Sequence, residues 1–571
     1  MTDHLIIAIG QLNPVLGDLA GNAEKALGAH AKAADAGADI LLLPELFLTG
    51  YPIDDLVLAD GFLAAVALQI ERLAAATAGD APAIIIGAPR DDGIVERGMN
   101  GSYPCIRNSV YVLDDGRISA VRDKARLPNS GVFDEPRIFT AASLQGPVMI
   151  RGVAIGLPIC EDIWHAETCE TLEESGAVLL LSPNGSPFEE NKHDRRLNTV
   201  VTRVSETGLP AVYVNLVGGQ DELVFDGASF AINPGGNLAL QMPTFSEAVM
   251  LLDAERGADG WRLRGQVTPP DEGDAALWRC IMLGIRDYVE KNRFPGVLLG
   301  LSGGIDSALV ATLAVDALGP ERVEAVMMPS PYTSGESLED AAALAAKLRI
   351  RLSSLGIEPA MMAVDDVLAE AFASAEDNAV GIARENMQSR LRGLMLMSLS
   401  NASGAMVLTT GNKSEYAAGY ATLYGDMCGG YAPLLDVWKT RVFQLCRWRN
   451  TTLPRGSLGP DGSVIPERII IKPPSAELKP DQKDSDSLPE YEVLDPIMQA
   501  LVERLESPQN LIEQGYDAAA VIHAAGLLQR SEYKRCQAAP GPKLTSRAFG
   551  RDRRYPITCG YMPAASHKET R

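Results

Sequence analysis

Short β-branched runs, each followed by an Ala-rich stretch of helical length, recur along the first 250 residues. Residues 5–9 precede 22–36, residues 40–43 precede 62–76, and 84–87 lead into a hairpin-like stretch at 108–121 that turns on Asp114-Asp115-Gly116. Further strand-like runs fall at 153–157, 178–181, 211–215 and 229–233. So many strands between helices predict a layered α/β domain. The pattern lapses between Asp253 and Asp274, where Glu-Arg-Gly-Ala-Asp-Gly and Thr-Pro-Pro-Asp-Glu-Gly-Asp have the breakers and charges of a linker. The boundary is placed near residue 272, dividing the chain into 1–271 and 272–571. Beyond it the alternation restarts with a helix at 275–291, a strand at 296–301, a Gly turn and a helix at 307–318. A strand at 323–328, a helix at 337–348 and further alternation through 407–410 predict an open, mostly parallel sheet. Residues 456–489 are rich in Pro and charge and read as mobile surface loops.

Composition narrows the classes. At 571 residues, 46% hydrophobic and 22% charged, the chain has ample sequence for two or more cores. Its 51 Lys and Arg against 74 Asp and Glu leave a net charge of −23, which repels nucleic acid and anionic membrane alike and favours a small-molecule partner. No apolar run reaches the roughly 18 residues of a membrane span, and the acidic start leads straight into a strand, so a cytoplasmic location is expected. The eight cysteines are scattered without a CxxC pair, and His4, His30, His165, His193, His523 and His567 have no ligand spacing. Neither a disulfide framework nor a protein-held zinc is expected.

The sharpest chemical signal is Gly300-Leu301-Ser302-Gly303-Gly304-Ile305-Asp306-Ser307, lying between a strand and a helix. Glycines there let backbone N–H groups close around an oxyanion, and the following helix adds its positive N-terminal end. No Gly-Lys-Ser/Thr follows, so this phosphate cradle is not a Walker A loop. The octet resembles the SGGxDS loop of ATP pyrophosphatases, which join AMP to a substrate and release pyrophosphate.

Within that superfamily the segments 385–392, 409–415, 424–426, 472–478 and 531–535 resemble NAD synthetase across nearly all of residues 275–555. The resemblance implies that the octet and Thr410 bind ATP, that Asp306 and Glu415 hold Mg²⁺ on the phosphates, and that Asn386, Glu415 and Lys534 contact deamido-NAD⁺. From Arg530 to Arg571 there are ten Lys or Arg against three Asp or Glu, so Lys534, Lys543, Arg547, Arg551, Arg553 and Arg554 are candidates to meet phosphates. The alternative for the residues beyond Lys543 is a solvated basic surface.

The N-terminal half carries a separate constellation. Glu45 in Leu-Pro-Glu-Leu, Lys124 in Asp-Lys-Ala-Arg-Leu-Pro and Cys160 in Leu-Pro-Ile-Cys-Glu-Asp each follow an apolar strand candidate, where α/β folds expose catalytic side chains. A thiolate can attack an amide carbon, a carboxylate can take the thiol proton, and an ammonium can steady the oxyanion. Taken alone, such a cysteine reads as a small buried hydrophobe. Its surroundings resemble the nitrilase or carbon–nitrogen hydrolase family over about residues 1–250, in the form fused to NAD synthetase as a glutaminase. That resemblance makes Cys160 the nucleophile, Glu45 the general base and Lys124 the oxyanion partner, and places glutamine near Tyr51, Glu161, Ser182, Ser186 and Lys192. Family members often carry an aromatic residue soon after the Leu-Pro that follows the lysine, where this chain has Asn129-Ser130. Glu135 is a candidate second carboxylate to orient the lysine.

Together the resemblances imply a nitrilase-like αββα sandwich followed by a Rossmann-like doubly wound parallel sheet. They imply amidation of deamido-NAD⁺ with ATP, Mg²⁺ and glutamine, through an adenylate and channelled ammonia, in a homo-oligomer. Two alternatives remain: another ATP-pyrophosphatase amidotransferase making GMP or asparagine, and a non-catalytic N-terminal docking module.

Overall fold

The computed structural model describes residues 3–98, 101–480 and 482–561. The chain divides into two units, Met1–Glu272 and Gly273–Arg571.

The first unit is built on two sheets. One has seven strands, in the order Gly260–Arg264, Ala248–Gly257, His4–Gln11, Ile40–Leu42, Ala83–Gly98, Gly101–Asp114 and Arg117–Asp123. The other has six, in the order Asn237–Gln241, Phe230–Asn233, Ala211–Asn215, Leu179–Asn184, Val153–Gly156 and Val148–Ile150. Strand alternation sorts the side chains into layers. Leu5, Ile7, Ile9, Ile40 and Leu42 pack on Ile155, Leu179, Leu181, Val212 and Val214 between the sheets. Leu41, Leu43, Ile84 and Ile86 face outward onto the helices Leu19–Asp35 and Phe62–Ala75. Leu180, Ala211 and Phe230 face the helices Ala166–Glu174 and Lys192–Thr207. This is the four-layer αββα sandwich expected from the sequence.

The linker expected to begin at Asp253 begins later. Ala248–Gly257 is a strand, antiparallel to His4–Gln11 from His4↔Glu255 to Gln11↔Ala248, and it turns back into Gly260–Arg264. Its charges mislead because only one face is covered: Leu252 and Ala254 are buried, while Asp253 and Glu255 face water.

The second unit has a four-stranded parallel sheet, in the order Arg351–Ser354, Val323–Met327, Val297–Gly300 and Met406–Val407. Successive strands run outward from Val297–Gly300, and the fourth returns to its other side. The carboxyl end of that strand is therefore the topological switch point where doubly wound sheets bind ligands. Helix Ile305–Leu318 follows and is buried on almost every side, which suits its apolar sequence. Its one deep carboxylate, Asp316, is met by Arg449 Nε at 2.7 Å and Nη2 at 3.0 Å, by Trp278 Nε1 at 3.0 Å and by Ser457 Oγ at 2.7 Å.

Arg449 also donates to the Pro460 and Gly462 carbonyls, at 2.7 and 3.3 Å, and so draws in part of the stretch read as surface loop. Within that stretch Ile469 and Ile470 of the short helix Glu467–Ile471 are buried, and residues 472–478 line a cavity. Pro and charge content points outward, but buried Arg449 and half-buried Asn450 meet its backbone polar groups.

Candidate active sites

In the first unit three strand ends converge. Glu45 lies three residues past Ile40–Leu42, Lys124 directly follows Arg117–Asp123, and Cys160 starts the single turn Cys160–Trp164 shortly after Val153–Gly156. Glu45 is fully buried, and its Oε1 accepts from Lys124 Nζ at 2.6 Å and from Asn108 Nδ2 at 2.8 Å. Its Oε2 accepts from the Gly185 N–H at 2.9 Å. Lys124 Nζ also reaches Glu135 Oε1 at 2.9 Å, and the same oxygen accepts from Tyr51 OH at 2.9 Å. Glu135, the candidate second carboxylate, thus lies within hydrogen-bond reach of both Lys124 and Tyr51.

The charges are set by burial and by these neighbours. Burial alone would lower the Lys124 ammonium, but the carboxylates of Glu135 and Glu45 outweigh it and hold it well above its ordinary range. Burial pushes the Cys160 thiol up, and Glu45 adds to the rise, whereas Lys124 and the Gly185 N–H act the other way. Glu135 is raised chiefly by burial, against Lys124. Cys160 has φ +46°, a left-handed backbone that non-glycine residues rarely adopt and that recurs where a fold holds a reactive side chain out of a turn.

The residues placed near glutamine fall into distinct settings. Tyr51 is bonded to Glu135 and packs its ring on Phe133 and Phe225, with centroids 6.3 and 6.2 Å away. Lys192 Nζ lies 5.8 Å above the Phe133 ring. Phe133 therefore provides an aromatic surface a few residues beyond Asn129-Ser130, a role that the run Gly-Val-Phe-Asp-Glu did not announce. Glu161 sits part-exposed, 3.6 Å from His165. Ser182 is interior, its Oγ accepting from Asn184 Nδ2 at 3.2 Å. Ser186 is gripped by buried Arg196, whose Nε donates to its Oγ at 3.1 Å and whose Nη2 donates to its carbonyl at 2.8 Å. Arg196 is in turn paired with Asp226 at 2.9 Å.

In the second unit a cavity of about 280 Å³ opens at the switch point and is lined by the whole 300–307 octet. Gly303 has φ +79°, and a Cβ there would stand 2.3 Å from the Ser337 carbonyl, so only glycine fits. Ser307 Oγ donates to the Gly304 carbonyl at 3.0 Å, and Ser302 Oγ accepts from the Gly304 N–H at 3.2 Å, which fixes the loop over the helix N-terminus.

Asp306, in the first helical turn, accepts from Lys439 Nζ at 2.5 Å and from Asn412 Nδ2 at 2.9 Å. Lys439 Nζ also lies 3.4 Å from Glu415 Oε1, and Glu415 and Asn412 cap the helix Lys413–Ala418 reciprocally. Burial raises Glu415, as do Asp306 and Asp484, while Lys439 opposes them. Lys439 is a buried cavity residue that sequence reasoning missed, because its setting in Val-Trp-Lys-Thr resembles any amphipathic helix start. Thr410 lines the cavity too.

Asn386 and Lys534 are not among the residues that line the cavity. Lys534 Nζ donates to the Gly419 and Ala421 carbonyls, each at 2.7 Å, and Asn386 Oδ1 accepts from Thr422 Oγ1 at 3.0 Å. Both hold the segment whose Tyr420 and Thr422 line the cavity. The C-terminal basic run divides: Lys543 and Arg553 are buried, Arg547 is half-buried, and Arg551 and Arg554 are exposed. Lys543 pairs with Asp552 at 2.6 Å, and Arg553 pairs with Glu532 and stacks on Tyr555. None of Lys543, Arg547, Arg551, Arg553 and Arg554 lines the cavity, and Lys568 and Arg571 lie outside the described residues.

Each unit matches a known family. Residues 6–259 match the carbon-nitrogen hydrolase family and residues 277–538 the NAD synthase family. The glutamine-dependent NAD(+) synthetase of Rhodobacter capsulatus is 50% identical over 558 residues, covering 98% of this chain and 99% of its own. The chain belongs to the glutamine-dependent NAD(+) synthetase family. The family's protein from Xanthomonas campestris is 45% identical over 567 residues, again covering 98% of this chain and 99% of its own. The solved glutamine-dependent NAD⁺ synthetase of Acinetobacter baumannii, in complex with ADP, superimposes with a TM-score of 0.74 at 38% identity, covering 98% and 99% of the two chains. Membership makes this chain a ligase that forms a carbon–nitrogen bond, amidating deamido-NAD⁺ at the expense of glutamine. Among the described residues no helix is long and apolar enough to cross a membrane.

Proposed function

We propose that Cys160 frees ammonia from glutamine in the first unit and that the cavity at 300–307 activates the nicotinate carboxylate of deamido-NAD⁺ with ATP in the second. The observation that carries the reading is the buried Glu45–Lys124–Glu135 network beside Cys160. The thiol rests neutral because burial raises it, so attack on the glutamine amide needs a proton acceptor, and Glu45 is the carboxylate whose charge it feels most. The thiol proton leaves with ammonia, a γ-glutamyl thioester remains on Cys160, and water activated by Glu45 releases glutamate. Lys124, held charged by two carboxylates, steadies the oxyanion in both halves.

In the second unit the 300–307 backbone and the helix N-terminus take the ATP phosphates, with Thr410 alongside. The nicotinate carboxylate displaces pyrophosphate from the α-phosphorus to give an acyl adenylate. Ammonia then displaces AMP. Asp306 and Glu415 both face the Lys439 ammonium, at 2.5 and 3.4 Å, and their carboxylate oxygens are the ligand type that a hard divalent cation takes. Mg²⁺ held by Asp306 and Glu415 would draw charge from the departing pyrophosphate. Two carboxylates suffice, since Mg²⁺ is usually bound through one or two of them and substrate phosphates.

Incubation with deamido-NAD⁺, ATP, Mg²⁺ and either glutamine or ammonium is expected to yield NAD⁺ and AMP; ADP in place of AMP rejects the adenylate. Phe133→Ala removes the ring that meets both Tyr51 and Lys192. It is expected to raise KM for glutamine about 5-fold, the equivalent of roughly 1 kcal/mol, while KM for ammonium stays put. A homo-oligomer working in the cytoplasm completes the proposal; for the assembly, helix Glu358–Phe372 buries none of its residues and leaves Met362 63% and Val367 83% exposed.

A further inference from the structure

A single carboxylate joins the strand ends that carry Lys124 and Cys160. Asp162 is buried two residues past the cysteine. Its Oδ2 accepts from the Ile159 N–H at 3.0 Å, and its Oδ1 accepts from the Ala125 and Arg126 N–H groups at 3.1 and 2.7 Å. Ile159 is the residue before Cys160, and Ala125 is the residue after Lys124. The two oxygens therefore span from the backbone of the nucleophile to the backbone of the oxyanion partner.

The places held are the ones that need holding. Cys160 has a left-handed backbone, a conformation that persists only when surrounding contacts over-determine it. Lys124 Nζ is fixed at its tip by Glu45 and Glu135, and its backbone N–H donates to the Asn108 carbonyl at 2.8 Å, but neither bond refers it to the cysteine. Asp162 does. Burial pushes its carboxyl up to about 6 against the pull of three N–H donors and Lys124, so at neutral pH it is ionised and its bonds are charge-assisted.

We propose that Asp162 is a positioning residue of the glutaminase reaction, fixing the distance between the Cys160 sulfur and the Lys124 ammonium. The inference rests on the reading of those two residues as nucleophile and oxyanion partner. An amide in its place keeps one acceptor oxygen and turns an NH₂ toward at least one of the three N–H donors. The reacting groups are then misplaced, while glutamine still binds.

The test uses the full chain carrying Asp162→Asn or Asp162→Ala. In the asparagine variant, kcat for glutamine-driven NAD⁺ formation is expected to fall about 10- to 100-fold, with KM for glutamine within roughly twofold of the parent. The alanine variant, which lacks both acceptor oxygens, is expected to fall further. Ammonium-driven formation by the same preparations stays at the parent rate. Parent-like kcat in both variants, or a loss confined to KM, overturns the proposal. So does a parallel loss of ammonium-driven synthesis, because Asp162 would then support the fold at large. Cys160→Ala tells this failure from that of the underlying reading: glutamine turnover surviving in it sinks the nucleophile assignment, whereas an inactive Cys160→Ala beside a fully active Asp162→Asn sinks only the role of Asp162.

Discussion

Replacing Cys160 by alanine is expected to cut glutamine-driven NAD⁺ formation by about 10⁴-fold or more and to leave ammonium-driven formation unchanged. The sulfur is the only atom removed, and the side chain is small and buried, so the turn and the Glu45–Lys124–Glu135 network around it should survive. Without a thioester the remaining groups can only steady an attack by water, which an amide resists. Ammonium bypasses the first unit because free ammonia serves the adenylate directly. The check is a pair of assays on one preparation, NAD⁺ formed from glutamine and NAD⁺ formed from ammonium. Glutamine turnover close to the parent rate in this variant would falsify the assignment and would favour a docking role for the first unit.

Asp306→Asn is expected to do the converse. The amide can still meet Asn412, but it withdraws a negative charge from Lys439 and from the place where the phosphates need a cation. Loss of about 10²- to 10³-fold in the AMP-forming step is expected, matching the several kcal/mol that a metal or an oriented charge contributes to a phosphoryl transition state. Glutamate release from glutamine should continue. Pyrophosphate formation and glutamate release are followed together while Mg²⁺ is titrated. The variant should need more Mg²⁺, and an unaltered Mg²⁺ requirement with parent-like pyrophosphate release would remove Asp306 from the metal role.

Much of this was legible in residue type and order. Period-two apolar runs at the core strands and helical periods between them define the layers, because burial on one or both faces leaves that imprint. Gly303 was legible for a harder reason, since a turn that brings its backbone against the Ser337 carbonyl excludes any Cβ. Glu45, Lys124 and Cys160 each follow a strand and could be singled out, but their convergence arises from sheet order, which local sequence does not encode. Asn108, Asp162 and Lys439 escaped because each is an ordinary polar residue in an ordinary local setting, and only long-range pairing gives it a task. The outer strand 248–257 escaped because half-exposed positions carry charge, and Ala254 is too small to mark its buried face. Residues 456–489 misled for a related reason, as the arginine that draws them inward lies on another helix.

The pairing of His4–Gln11 with Ala248–Gly257 has a consequence for biogenesis. The second strand of the protein to be synthesised can pair with the first early, but the first strand's other edge waits for more than two hundred further residues. A nascent polypeptide leaving the ribosome must therefore keep that edge from foreign partners until residue 257 has emerged. Cotranslational chaperones are most needed over that interval, and fragments ending short of residue 248 should aggregate during expression.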